Sequence, residues 1–153
     1  MILRPILALA LLLFSSVGAS AQNFEMFGAD DNPLVEGFRA SPAVRAGDFV
    51  YISGVVGYIR NSEERTPEAY EAAIRDAMQR VEAALAPAGA DWGNVIEMTT
   101  FHVGMRDHQE IFRAVREEFI TNKPYPAWTG IGVEKLWADA LFVEIRVVAY
   151  VGD

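Results

Sequence analysis

Glu144 is the residue of this chain best suited to acid–base chemistry. It sits between Val143 and Ile145 in the run Leu141 to Val151 (LFVEIRVVAYV). A carboxylate in a buried strand carries a desolvation cost unless it is partnered. Such a group can hold a water or pass a proton. The alternative is a solvated or ion-paired face shared with Arg146. Trp128 follows Tyr125-Pro126-Ala127, and a tryptophan just past a proline-fixed turn can wall a ligand pocket. Packing in a core or interface is the competing reading. His102 alternates with Met98 and Thr100 and reads as a hydrogen-bonded structural group. His108, at a predicted helix start, reads as exposed, and Glu63-Glu64 as a solvated loop. Gly130-Ile131-Gly132 lacks the strand-then-helix context of a dinucleotide cradle. No G-x-S-x-G, Walker or metal-ligand spacing occurs. With no cysteine and two histidines, thiolate and disulfide chemistry are excluded, and a histidine-rich metal site is disfavoured.

The elements that must position these groups follow from the pattern. Phe49 to Val56 (FVYISGVV) is β-branched and aromatic and reads as a strand. Gly54 inside it suggests a bulge or a close backbone approach. Thr66 is a good N-cap, Pro67 suits the first helical position, and Glu68 and Glu71 suit the positive end of the dipole. Tyr70, Ile74, Ala77, Met78, Val81, Ala84 and Leu85 then form one stripe, which Pro87 and Gly89 end. Val95 to Val103 reads as a strand. Asp107, with Glu110 three residues on, predicts the start of a second helix whose stripe is Ile111, Phe112, Val115 and Phe119. Pro124 and Pro126 lie beyond it. Trp128 to Val133 reads as a short strand and Leu141 to Val151 as the last one. In that strand Val143, Ile145, Val147 and Ala149 share a face; Glu144, Arg146, Val148 and Tyr150 share the other. Two one-faced helices on one side of a mixed sheet is the natural packing. The other side then needs a cover, and subunit association supplies one.

Composition sets the bounds. The chain has 153 residues, 22% charged and 52% hydrophobic, with 13 basic and 21 acidic side chains and a net charge of −8. That is a globular chain of one-domain length. The negative charge argues against non-specific binding to nucleic acid or to an anionic membrane. Met1 to Ala21 has the layout of a secretory signal peptide. Arg4 opens it, Ile6 to Phe14 is an unbroken apolar run, and Ala19-Ser20-Ala21 is an A-x-A cleavage pattern. The apolar run is short for a bilayer span, which takes roughly 20 residues. Cleavage after Ala21 would leave 132 residues of charge −9, soluble and periplasmic or secreted. Residues 22–40 mix Gly, Asp, Asn and Pro without a period and read as an N-terminal arm, ahead of one domain over 41–153.

The ordered segments carry more than any one motif. Ala46 to Gly54, Ala72 to Gly93, Val95 to Phe101, Tyr125-Pro126-Ala127 and Val143-Glu144-Ile145 together resemble the Rid family, the YjgF/YER057c/UK114 group of reactive intermediate deaminases. The likeness runs from about Ser41 to Val151. It implies a chorismate-mutase-like α+β fold, a mixed sheet with two helices on one face. It also implies a homotrimer with ligand clefts between subunits. The activity it implies is hydrolysis of imines and enamines, such as 2-iminopropanoate and 2-iminobutanoate, to 2-keto acids and ammonia, without cofactor or metal. In such a site an arginine fork holds the substrate carboxylate, and a glutamate on the last strand positions water. Glu144 matches that glutamate. Ser53 and Gly54 match the strand that borders the cleft.

The chain departs from the pattern where the substrate is held. Trp128 stands in the position of the arginine, followed by Thr129, and Gly130 stands where a cysteine is common. Ala43 replaces a tyrosine, and Arg113 aligns with an asparagine. Arg113 or Arg146 is the candidate replacement cation, and Trp128 is expected to widen and flatten the pocket. The expectation is therefore an exported hydrolase or deaminase of small imine or enamine metabolites, weak on 2-imino acids. Its catalytic residue is Glu144, and Trp128, Thr129, Arg113, Ser53 and Gly54 line its cleft. The alternative is a trimer that binds a small molecule in the same clefts without chemistry.

Overall fold

The computed structural model of the chain describes residues 24–28 and 33–153. The segment Met1 to Ala21 read as a signal peptide lies outside them. The described chain runs β1 (Phe24–Phe27), α1 (Pro33–Phe38), β2 (Ala43–Ala46), β3 (Phe49–Tyr58), α2 (Pro67–Leu85), β4 (Val95–Val103), α3 (Met105–Phe119), β5 (Ala127–Val133) and β6 (Leu141–Tyr150). Residues 22–40, expected as an irregular arm, therefore contain a strand and a short helix. Phe24–Phe27 lacks the length to announce itself, and its conformation comes from pairing with β2.

The strands form one sheet in the order β1-β2-β3-β6-β4-β5. Neighbours are antiparallel except β4 and β5, which are parallel. A parallel pair needs a crossover, and α3 provides it. The last strand in sequence thus lies in the middle of the sheet. That explains why it is the most apolar of the described strands.

Helix α2 starts where the sequence predicts. Thr66 Oγ1 accepts from the Ala69 amide at 3.2 Å, and Pro67 opens the first turn. A 3-10 turn, Ala86–Ala88, and Gly89 end it. Helix α3 begins two residues before the expected Asp107. Gly104, at φ 63°, turns the chain out of β4 in the left-handed region that glycine tolerates. Asp107 donates its own amide to the Gly104 carbonyl at 2.9 Å instead of capping.

Ile74, Met78, Val81 and Leu85 of α2 and Phe112 and Val115 of α3 are buried against Val50, Ile52, Met98, Val143, Ile145, Val147 and Ala149 of the sheet. Each such side chain contributes about 1.5–3 kcal/mol on leaving water. Arg75 ties α2 to α3 through Glu118, and Arg80 ties α2 to β3 by donating to the Val56 carbonyl at 2.6 Å. Both long helices therefore lie on one face of the sheet. Tyr51 (42% exposed) and Tyr150 stand on the other, open face beside Glu144, Arg146 and Val148.

Candidate active site

The sheet brings the predicted residues together in two separate groups. The first lies on the open face, where β3 meets β6. Ile52 pairs with Val147 and Val55 with Ile145, so Ser53 and Gly54 share the span opposite Arg146. That is a bulge, and the close approach expected at Gly54 accompanies it. The Glu144 side chain crosses the Gly54 backbone so tightly that a Cβ at Gly54 would overlap its carboxylate. Glycine there is a requirement of space. The bulge is pinned by Ser53, whose amide donates to the Pro42 carbonyl at 2.9 Å and whose hydroxyl donates to the Ser41 carbonyl at 2.7 Å.

Glu144 is half-buried. Among the described residues its carboxylate makes no ion pair, so the pairing with Arg146 that would have made it structural does not form. A carboxylate held in place with free acceptor positions can take hydrogen bonds from a water or a ligand.

The second group lies under α3, on the helix face of β5. Trp128 stacks on Phe112 with ring centroids 6.1 Å apart, and its indole N–H donates to Thr100 Oγ1 at 3.0 Å. The indole also passes over Gly130, where an added Cβ would come within 3.4 Å of it. Large residue and glycine therefore compensate for each other on one strand face. Thr129 alternates to the other side, paired across the ladder with Thr99. Arg113, the expected substitute cation, is exposed and pairs with Glu110 at 2.9 Å. It is Arg116, three residues further along α3, that lies over the indole, its guanidinium carbon 3.9 Å from the ring centroid. Sequence reasoning missed Arg116. Its signal was position, four residues after Phe112 and hence on the same helix face.

The hydroxyl of Thr100 continues inward. It meets His102 Nε2 at 2.8 Å, and His102 Nδ1 meets His108 Nε2 at 3.0 Å. The indole N–H can only donate, so a consistent assignment has Thr100 donating to His102 and His102 donating to His108. His102 behaves as the hydrogen-bonded structural group expected. His108 does not behave as expected. It is 1% exposed, stacked on Tyr70 with ring centroids 5.1 Å apart. The helix starts earlier than Asp107, and this turns His108 inward. Burial lowers both imidazoles, His102 to about 4. Among the described residues no three His, Asp or Glu side chains converge as metal ligands.

Fold and site together define a class: a six-stranded mixed sheet backed by two long helices, with a strand-borne glutamate laid over a glycine bulge. Residues 36–151 match the family described as Endoribonuclease L-PSP. The chain belongs to this family, the Rid (YjgF/UK114) group. It is 34% identical over 129 residues to the RutC family protein YjgH of Escherichia coli K12, covering 84% of this chain and 95% of that protein. It is 30% identical to the 2-iminobutanoate/2-iminopropanoate deaminase of Dermatophagoides farinae, over 72% of this chain and 84% of that one. The solved structure of protein YjgH superposes with a TM-score of 0.69 at 31% identity, covering 86% of this chain and 98% of that chain. A YjgF/YER057c/UK114 family structure from Mycobacterium tuberculosis superposes with a TM-score of 0.67 at 26% identity, covering 86% and 100%.

Proposed function

We propose that this chain is an exported hydrolase of small imines or enamines, with Glu144 as its catalytic residue. The observation that carries the reading is the Glu144 carboxylate, laid over Gly54 on the open face and without a hydrogen bond or ion pair among the described residues. An enamine first tautomerises to its imine. Glu144 then takes a proton from water as the water oxygen bonds to the imine carbon. The imine nitrogen takes up that proton, giving the carbinolamine. The carbinolamine hydroxyl then gives its proton through Glu144 to the nitrogen as the C–N bond breaks and C=O forms, and ammonia and a carbonyl product leave. A positioned carboxylate is suited to both proton transfers. The deaminase from Dermatophagoides farinae supports this class of reaction by likeness.

Glu144 and Trp128 belong to opposite faces of one sheet, so a cleft using both takes them from two copies of the chain. A homotrimer with inter-subunit clefts meets that need and covers Tyr51 and Tyr150. With Trp128 in place of an arginine, 2-iminopropanoate is a poor substrate. A competing reading, ligand binding without turnover, is favoured by the firm anchoring of Trp128 between Phe112 and Thr100.

The test is keto-acid release from freshly generated imines by the purified protein, with semicarbazide trapping residual imine and Glu144→Gln as control. A Glu144-dependent acceleration with any imine of the series supports hydrolysis. Tight binding with identical, background release from both proteins establishes the non-catalytic reading.

A further inference from the structure

Among the described residues six arginines have acceptors; of the four that have none, Arg39, Arg106 and Arg146 are exposed to water and Arg116 is not. Arg60, Arg75, Arg80 and Arg113 pair with carboxylates, and Arg45 and Arg65 donate to backbone carbonyls. Arg116 is half-buried, its Nε is shut off from solvent, and among the described residues its guanidinium meets no acceptor at all. Neighbouring Glu117 supplies a favourable charge but no hydrogen bond, and a partly desolvated guanidinium with unmade hydrogen bonds is costly unless something completes it. The Trp128 ring offsets part of that cost from one side. A guanidinium on an aromatic face keeps its in-plane N–H donors free, the arrangement in which it takes a carboxylate fork to fork.

The space for such a ligand is present. Arg116 lines a groove of about 380 Å³ with the exposed Glu117 at its edge and, beyond, Ile120, Thr121, Tyr125 and Pro126. Those four residues also line an adjoining groove of about 200 Å³. A cation at one end and an aliphatic and aromatic floor beyond it describe a ligand with a carboxylate on an apolar or aromatic body.

We propose that Arg116, seated on Trp128, is the carboxylate-binding residue of this chain. The inference rests on the function proposed above and names its substrate class: imines carrying a carboxylate and an apolar arm larger than a methyl group. Exchanging a strand-borne arginine for an indole moves the cation off the strand and onto α3. The apolar surface of Ile120, Tyr125 and Pro126 beyond Arg116 can be buried by a larger acid and not by the smallest imino acids. Burial pulls the Arg116 guanidinium below its usual value, which fits a cation poised for an anion.

The test uses a non-reacting probe, so that binding is read apart from turnover. Benzoate and its uncharged analogue benzamide are titrated calorimetrically into the purified protein, Arg116→Gln, Arg116→Lys and Glu144→Gln. Benzoate is expected to bind about tenfold or more tightly than benzamide, the share of a charge-assisted fork. Arg116→Gln should remove that preference, Arg116→Lys should restore part of it, and Glu144→Gln, which takes a negative charge out of the cleft, should not lower it. Equal affinity for the two probes, no benzoate binding to folded protein, or a preference that survives Arg116→Gln overturns the proposal. A benzoate preference that depends on Arg116, with no imine hydrolysis, would sustain this site while removing the hydrolase. Hydrolysis indifferent to Arg116 would do the reverse.

Discussion

At Gly54 the whole case for a catalytic carboxylate comes down to one missing methyl group. The backbone there is not in the left-handed region, so alanine adds bulk and little strain. Gly54→Ala should shift stability by about 1 kcal/mol or less yet displace the Glu144 carboxylate and cut imine turnover at least tenfold, by roughly the logic of a misplaced catalytic group. Turnover equal to that of the unsubstituted protein would remove the role given to Glu144. The buried histidines make a second prediction at this scale. Both hold their folded-state values below the usual 6.5, His102 at about 4. Below about pH 6.5 the unfolded chain binds protons that the folded chain refuses, so stability is complete above that pH and falls towards pH 4. Each excluded proton costs up to about 1.4 kcal/mol per pH unit. Urea midpoints should drop from pH 7 to pH 5, and His108→Phe, which removes one imidazole from among Tyr70 and Phe142, should flatten the drop. An unchanged slope would show that the imidazoles do not govern it. Glu144 was legible in the sequence because a charge among β-branched residues stands out. Arg116 was not, because an arginine beside Glu117 and Glu118 reads as one more solvated helix charge.

Helix α3 and strand β5 act as one unit, since α3 is the crossover between the parallel pair and lies over the strand it delivers. Trp128 is the seam, stacked on Phe112, bonded to Thr100 and topped by Arg116. Trp128→Arg would break all three contacts and set two guanidinium groups against each other. It should cost about 2–4 kcal/mol and should not create activity on 2-iminopropanoate. Thermal melts and keto-acid release measure the two halves of that expectation, and a stable variant that gains the activity contradicts it. The elements with long apolar periods were legible: α2 with its Thr66 cap, β4 with both its ends, and β6 with its two faces. Those without them were not. β1 and β2 are each four residues long, too short for alternation to register, and they exist because β3 offers an edge to pair with. The start of α3 was misplaced because Asp107 imitates a cap, while the turn is made by Gly104, which carries no side-chain signal.

For the molecule as a whole, the open face is the deciding feature. Tyr51 stands opposite Val148 across the ladder, and Phe49 meets Tyr150 edge to face with centroids 5.4 Å apart. Sedimentation should find the protein as a trimer, and Tyr51→Glu should shift it towards single chains and reduce imine turnover with it. A monomeric wild-type protein that hydrolyses imines would refute the two-copy cleft. That β6 is apolar on most of both faces was legible in the sequence, whereas the placing of Glu144 and Trp128 on opposite faces required the strand order. That order has a further consequence. β6 comes after every other described strand in the chain, yet it lies between β3 and β4 and supplies the middle of the core. Until it arrives the earlier strands have no partner in common, and α2 and α3 have no complete surface to pack on. A chain made only as far as β5 therefore lacks the middle of its core and stays open.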